Sequence, residues 1–183
     1  ALERVYELFD TPNKIKDGSF NFEKKEKALG NLNFSNVDFL YPDGYQALHN
    51  INLNIEAGKS YAFVGRSGAG KSTIFNLLPR LFDSSKGTIS LDGRSLLDYK
   101  ISSLRDQISV VSQDSILLSG TVLDNIGFGK EGASREDCIT AAQDAAADKF
   151  ITNLKDGYDT KIDPSKIKFS GGEKQRLSIA RAM

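Results

Sequence analysis

Residues 65–73 are Gly65-Arg66-Ser67-Gly68-Ala69-Gly70-Lys71-Ser72-Thr73. They match the pattern G-x-x-x-x-G-K-[ST], in which consecutive backbone N–H groups surround a chain of phosphates. In this pattern the lysine, here Lys71, contacts the outer phosphates, and the hydroxyl of the next residue, here Ser72, ligates Mg²⁺. We therefore predict a nucleotide-phosphate site at this loop. A glycine-rich turn between core elements is the alternative, and it leaves the complete pattern unexplained.

The residues on both sides of the loop have the context that the pattern requires. Residues 59–64 form a short β-prone run and predict a strand that leads into the loop. Apolar residues recur at helical spacing over 74–82, which predicts a helix whose positive end adds to the anion site. Pro79 lies inside this run and predicts a kink or an early end of the helix.

Composition limits the class of protein. Of 183 residues, 39% are hydrophobic and 26% are charged, which is ordinary for a globular chain. Lys and Arg number 24, as do Asp and Glu, so the zero net charge gives no reason to expect nucleic acid or an anionic membrane surface as a partner. Cys138 and His49 are the only residues of their types, so they cannot assemble a zinc site or an internal disulfide.

Strand signals dominate the first half of the chain. Alternating apolar residues predict half-buried strands at 37–41 and 51–55, separated by the turn signal Tyr41-Pro42-Asp43-Gly44. Residues 87–93 predict a short glycine-bounded strand. The apolar run at 108–112 predicts a buried strand.

Helical signals dominate from Gly120 onward. Ser134 and Asp137 have the spacing of a capping box, followed by an alanine-rich helix through Ala147. Residues 172–183 are again helix-like. Strands early and helices late predict an α/β nucleotide-binding core with a helical insertion.

The first 30 residues differ from the rest. Their apolar side chains mark one face of a short helix that ends near Thr11-Pro12: Leu2, Val5, Leu8 and Phe9. Residues 14–27 are charged, with few apolar groups, and the run Lys24-Lys25-Glu26-Lys27 is expected to be a solvated linker, with a binding patch as the alternative.

A second motif narrows the class of nucleotide-binding protein. Residues 169–176, Phe-Ser-Gly-Gly-Glu-Lys-Gln-Arg, resemble the LSGGQ signature of ATP-binding cassette (ABC) proteins, with Phe for Leu and Glu for the final Gln. Ser170 and Glu173 also have the spacing of a capping box, and both interpretations are compatible. Gly171 and Gly172 at a helix start let an anion approach bare backbone N–H groups.

The resemblance assigns roles to further residues. Tyr41 matches the aromatic residue that stacks on adenine in ABC domains, although the residues alone equally allow a buried strand tyrosine. Gln113 matches the Q-loop glutamine, which is implied to contact Mg²⁺ and the attacking water. The cofactors implied are ATP and Mg²⁺, with Lys71 and Gln113 as catalytic residues, Ser72 and Gln113 as Mg²⁺ ligands, and residues 65–73 around the phosphates.

Almost the whole chain resembles the exporter type of ABC protein. Residues 1–9 look like the end of a helix that leaves a membrane domain, and Gly120-Thr121-Val122-Leu123-Asp124-Asn125-Ile126 resembles the exporter sequence after the Q-loop. Residues 64–68 and 111–113 look most like bacterial lipid flippases and multidrug exporters. The implied fold is an α/β P-loop NTPase (RecA-like) core with an antiparallel β subdomain and a helical subdomain.

The implied boundaries are a linker over 1–30, after a membrane domain, and an ABC nucleotide-binding domain over 31–183. The helical subdomain is expected from about 115 to 183. The domain is expected to be incomplete at its C-terminus, because the family's Walker B strand, D-loop and switch histidine would follow Met183. We therefore expect these residues alone to bind nucleotide weakly and to hydrolyse it negligibly.

One segment departs from the family pattern. The segment before the signature usually carries Glu and Gly in exporters, and here it is Ile162-Asp163-Pro164-Ser165-Lys166. Asp163 is a candidate replacement for the carboxylate, and a different contact with the membrane domain is the alternative.

The resemblance implies a motor domain at the cytoplasmic face of a membrane, most simply the bacterial inner membrane. Two ABC domains would face each other head to tail, so that Ser170, Gly171, Gly172 and Glu173 of one contact ATP on the loop of the other. A fused membrane-spanning domain would precede the chain. Two alternatives stay open within the superfamily: a soluble ABC protein that does not transport, and a regulatory domain that binds ATP without hydrolysing it. An unrelated P-loop kinase leaves residues 170–176 unexplained.

Overall fold

The computed structural model describes residues 15–23, 26–163 and 169–183. The chain forms two compact units, with the boundary between Ile108 and Ser109. The predicted N-terminal helix that ends near Thr11-Pro12 lies outside the described residues, as do Lys24, Lys25 and the segment 164–166. Within the described part of the chain, no helix is long and apolar enough to cross a membrane.

An antiparallel sheet of four strands forms the centre of the first unit. Its strands are β1 (Leu32–Leu40), β2 (Gln46–Ile55), β3 (Lys86–Leu91) and β4 (Arg94–Ser95), in the order β2-β1-β3-β4. Phe34, Val37 and Phe39 of β1 are buried in the core, which confirms the strand predicted there. The predicted turn is also present, because the N–H of Gly44 donates to the carbonyl of Tyr41 over 2.9 Å.

Two short helices accompany this sheet, α1 (Lys71–Leu77) and α2 (Ile101–Arg105), with a 3₁₀ turn at Leu96–Asp98. Ile74 and Leu77 of α1 belong to the same buried cluster as the β1 side chains. The helix ends before Pro79, as predicted, because proline cannot continue the helical hydrogen bonds.

Two predicted strands are not formed. The described residues 59–64 and 108–112 contain no strand, and Val64 and Val110 are 90% and 60% exposed. A strand requires a neighbour to pair with its N–H and C=O groups. An apolar run shows only that residues would suit a sheet, and among the described residues no neighbouring strand pairs with either run.

The described residues of the predicted 1–30 linker, 15–23 and 26–30, belong to the first compact unit. The rings of Phe20 and Phe22 lie 5.2 and 5.3 Å from the ring of Tyr99, centre to centre. The N–H of Ala28 donates to Gln107 Oε1 over 2.9 Å. Phe20 and Phe22 are partly buried against the core of the first unit, and the charged residues around them gave no sign of this packing.

The second unit is mainly helical. It contains α3 (Val122–Gly127), α4 (Arg135–Asp144), α5 (Asp148–Thr152) and α6 (Gly171–Ala182), a small β5–β6 pair at Gly120–Thr121 and Lys161–Ile162, and a 3₁₀ turn at Gly157–Asp159. Its hydrophobic core contains buried side chains from all four helices, among them Val122, Ala142, Ile151 and Leu177.

Helix α4 begins as predicted and ends earlier than predicted. Ser134 and Asp137 form the complete capping box. The helix stops at Asp144 because Ala146 adopts a left-handed φ of 54° and the N–H of Ala147 donates to the carbonyl of Ala142 over 2.7 Å. This is a Schellman-type ending with alanine at the position where glycine is usual, so the sequence carried no visible stop signal.

Candidate nucleotide-binding site

The loop before α1 is exposed except at its last residue. Gly68 and Gly70 have left-handed φ values of 81° and 80°, which glycine adopts without steric cost. Gly70 is buried, and a Cβ there would lie 2.5 Å from the carbonyl oxygen of Ala47 and 2.7 Å from Leu48 Cδ2. The second glycine of the motif is therefore required both by the backbone conformation and by close packing against β2.

The side chain of Lys71 bends back onto the loop that precedes it. Its Nζ donates to the carbonyl oxygens of Gly65 and Arg66, at 2.8 and 2.6 Å. Gly70 is the N-cap of α1 and no side chain caps this helix. The ammonium group is thus held at the loop, and the N–H groups at the start of α1 are not occupied by a capping side chain.

Tyr41 lies beside the loop but is also packed into an aromatic cluster. Its hydroxyl forms a 3.0 Å hydrogen bond with Thr73 Oγ1 of α1. Its ring meets Phe39 and Phe82 edge-on, at 4.7 and 5.6 Å between centres, and is stacked with Tyr45 at 6.3 Å. Both interpretations of this residue, adenine stacking and core packing, are compatible with this position.

Tyr45 touches the phosphate loop and was not predicted. Its hydroxyl donates to the carbonyl oxygen of Gly68 over 3.0 Å, and the residue is 53% exposed. The sequence offered one weak signal, an aromatic residue directly after the turn that contains Gly44. The contact itself could not be seen without the fold.

The remaining predicted site residues lie in the second unit. Gln113 is exposed in a bend. Ser170 is the N-cap of α6 and forms the complete capping box with Glu173. Glu173 Oε2 accepts from the backbone N–H of Ser170 at 2.7 Å and from its hydroxyl at 2.8 Å, and these bonds hold the pKa of Glu173 below its usual value. Gly171 has no atom near the position of a Cβ, so its backbone is open to approach.

A buried asparagine and a partly buried arginine, also unpredicted, hold the segment after Gln113 by hydrogen bonds. Asn125 is 1% exposed and its side chain bonds both the N–H and the carbonyl of Leu118, at 2.8 and 2.9 Å. Arg181 of α6 donates to Asn125 Oδ1 at 2.9 Å and to the carbonyl of Ile116 at 3.1 Å. Arg181 therefore connects the end of the signature helix to residues 116–118.

Two other polar features do not form sites of their own. Cys138 is buried, and burial raises the pKa of its thiol, as suits a small apolar packing residue. Across residues 15–23, 26–163 and 169–183, no group of three or more His, Cys, Asp or Glu side chains is placed to hold a metal ion.

Comparison with known proteins gives a consistent result. A match to the ABC transporter family extends over residues 48–183. The chain is 45% identical over 183 residues to the ATP-dependent lipid A-core flippase of Legionella pneumophila, covering 100% of this chain and 31% of that protein. It is 46% identical over 178 residues to a putative multidrug export ATP-binding/permease protein of Staphylococcus aureus, covering 97% and 31%.

A solved structure agrees with these relatives. A bacterial Atm1-family ABC exporter with ATP bound matches with a TM-score of 0.88 at 37% identity, covering 99% of this chain and 32% of that one. The chain thus spans about a third of the length of the proteins it matches. The likeness confirms the predicted fold class, a P-loop NTPase with an antiparallel β part and a helical part. The two glycine motifs identified the class correctly, and this chain belongs to the ABC transporter family as one of its ATP-binding domains.

Proposed function

We propose that this chain is the ATP-binding motor domain of an ABC exporter. The observation that carries the proposal is the geometry of the loop at residues 65–70. Its left-handed Gly70 packs against β2, and the ammonium group of Lys71 donates to the exposed carbonyls of Gly65 and Arg66. A rigid glycine loop with a lysine at its end is the arrangement that binds the phosphates of a nucleotide.

ATP would be held by groups that are already in place. Lys71 would exchange its two bonds to carbonyl oxygens for bonds to the outer phosphates, since an ammonium prefers an anionic partner. The N–H groups of residues 68–73 would donate to the same phosphates. Tyr41 would stack on the adenine.

The residues fit a bound Mg²⁺ ion. Ser72 is exposed in the first turn of α1, beside Lys71, so its hydroxyl can reach an ion that phosphate oxygens also ligate. Mg²⁺ supplies neutralisation of the charge that develops on the phosphates during transfer to water. Gln113 is proposed as a further ligand that also orients the attacking water.

The second unit would act on ATP bound to another domain. Ser170, Gly171, Gly172 and Glu173 begin a helix whose exposed start suits a phosphate, and we propose that they close over the nucleotide of a partner ABC domain in a head-to-tail dimer. Because each site then needs residues from both partners, a single copy of this domain should bind nucleotide weakly and hydrolyse it negligibly.

The exporter assignment rests on the relatives. Their names describe a lipid A-core flippase, a multidrug export permease and an Atm1-family exporter. We propose a fused membrane domain upstream of this chain, a position at the cytoplasmic face of a bacterial inner membrane, and a lipid or drug-like substrate.

The test is ATP turnover and ATP-driven substrate movement by the intact protein in membrane vesicles. Lys71→Ala should lower turnover at least about a hundredfold, because a preorganised charge at the phosphates is lost. Lys59→Ala is the matched control, since Lys59 is exposed and forms an ion pair with the nearby Glu56. Turnover in a protein that does not associate with membranes would favour a soluble ABC protein. Tight ATP binding without turnover would favour a regulatory domain.

A further inference from the structure

The phosphate loop is tied to the β1–β2 turn by two tyrosine hydroxyls. Tyr45 donates to the carbonyl of Gly68, in the middle of the loop, and Tyr41 bonds Thr73, in the helix that follows, both at 3.0 Å. The two rings are stacked with an angle of 17° between their planes. The turn therefore contacts the loop on either side of Lys71.

Tyr45 is itself held firmly despite its exposure. Its backbone N–H donates to Asp43 Oδ1 at 3.0 Å, and its carbonyl accepts from the N–H of Tyr41 at 2.8 Å. A ring fixed at its backbone and stacked on a neighbour can direct its hydroxyl with little loss of side-chain entropy.

We propose that Tyr45 is a positioning residue for the phosphate loop, and this inference rests on the proposed binding of ATP there. When Lys71 turns to a phosphate, its bonds to the carbonyls of Gly65 and Arg66 are lost. The bond from Tyr45 then remains as a side-chain tether on the loop. Fixing the carbonyl of Gly68 also fixes the N–H of Ala69, because the amide that joins them is planar, and so keeps the loop in the shape that accepts phosphate.

This role differs from stacking on the base. A tether acts through the hydroxyl and affects every ligand that carries the phosphate chain. A stacking ring acts through its face and affects only ligands that carry a base. Tyr45→Phe removes the hydroxyl tether and keeps the ring face.

The experiment measures equilibrium binding of ATP and of inorganic tripolyphosphate to the intact protein, with Mg²⁺, by calorimetry. Tyr45→Phe should weaken both ligands by the same factor, about three- to tenfold, the effect of one neutral hydrogen bond. The matched control is Tyr61→Phe, another exposed tyrosine, whose hydroxyl accepts from the backbone N–H of Glu56 and which should bind both ligands normally. Unchanged binding in Tyr45→Phe, or weaker binding of ATP alone, would overturn the proposal.

Hydrogen exchange separates this inference from the proposed function. Without nucleotide, the amide of Ala69, whose N–H donates to the carbonyl of Arg66 over 3.2 Å, should exchange about three- to tenfold faster in Tyr45→Phe than in the unmodified protein. Failure of the unmodified protein to bind either ligand would refute the proposed function, and the exchange rates would still show whether Tyr45 orders the loop. Equal exchange in the two proteins would refute the tether.

Discussion

The two helices that follow the glycine motifs begin in opposite ways. Helix α1 starts from a left-handed Gly70 without any side-chain cap. Helix α6 starts from Ser170, whose hydroxyl and backbone N–H are both engaged by Glu173. The first helix start is thus held by packing of the loop, and the second by its own capping residues.

This difference separates two ways of presenting backbone N–H groups to a phosphate. At α1 the donors are free of side-chain competition, and the positive Lys71 lies beside them. At α6 a carboxylate already occupies the helix start, where negative charge is favourable. A phosphate that approaches Ser170 must therefore share the site with Glu173. We expect α1 to supply most of the affinity for ATP and α6 to add a weaker, conditional contact.

The largest effect is expected from Gly70→Ala, which adds a Cβ to the closely packed start of α1. A left-handed alanine costs about 1–2 kcal/mol, and a Cβ placed 2.5 Å from the carbonyl of Ala47 forces a further shift. We expect the first unit to lose about 2–4 kcal/mol of unfolding free energy and ATP affinity to fall more than tenfold. Denaturant unfolding and calorimetry measure the two effects.

Gly58→Ala is the matched control, because Gly58 has a φ of 71° and no atom near the position of a Cβ. It should cost about 1 kcal/mol, from the backbone conformation alone. Equal losses in the two variants would mean that packing of the loop against β2 contributes nothing.

A smaller effect is expected from Ser170→Ala, which removes the side-chain cap at the start of α6. Loss of a serine N-cap costs about 1 kcal/mol, so the first-turn amides of α6 should exchange about fivefold faster. Ser134→Ala removes the corresponding cap of α4 and should have the same local cost. Only Ser170→Ala should also weaken ATP-dependent dimerisation, and equal dimerisation in the two variants would count against a role for Ser170 at the nucleotide.

The smallest effect is expected from Glu173→Gln, which keeps the capping box and removes its charge. Glutamine is accepted at this position of a capping box, so the helix start should change by less than about 0.5 kcal/mol at neutral pH. ATP-dependent dimerisation should become slightly tighter, because a negative charge no longer faces the phosphate. Light scattering or sedimentation with ATP measures this change.

The unmodified protein and Glu173→Gln should also differ in how the stability of the start of α6 responds to acid. The folded pKa of Glu173 is lowered by its bonds from Ser170, so its stabilising effect is complete above its unfolded value of 4.5 and is lost as the pH falls through the lowered folded value. The protection factor at the start of α6, which is the exchange rate corrected for the intrinsic effect of pH, should therefore fall below about pH 4.5 in the unmodified protein and stay flatter in Glu173→Gln. The same acid response in both proteins would show that other carboxylates control this helix.

Local sequence signals predicted the elements whose physical cause is local. The capping boxes at Ser134 and Ser170 were visible because both partners lie three residues apart. The end of α1 was visible because Pro79 acts within one turn. The strand around Val37 and Phe39 was visible because one face of it is buried.

Long-range contacts account for what could not be predicted. The runs at 59–64 and 108–112 suit strands, but pairing depends on a neighbour that the local sequence does not reveal. The contact from Tyr45 to Gly68 joins residues 23 positions apart, and Arg181 bonds a carbonyl 65 positions before it. Such pairs carry no periodicity or motif, so only the fold brings them together.

The division at Ile108 has a consequence for synthesis of the protein. The N–H of Phe22 donates to Ser103 Oγ, 81 residues later, and that of Ala28 to Gln107, so the bonds that close the first unit end just before the boundary. A nascent chain emerges N-terminus first, and compact units can fold as they emerge. The phosphate loop can therefore reach its native shape while the ribosome is still translating the codons for Ser170 and the rest of the signature.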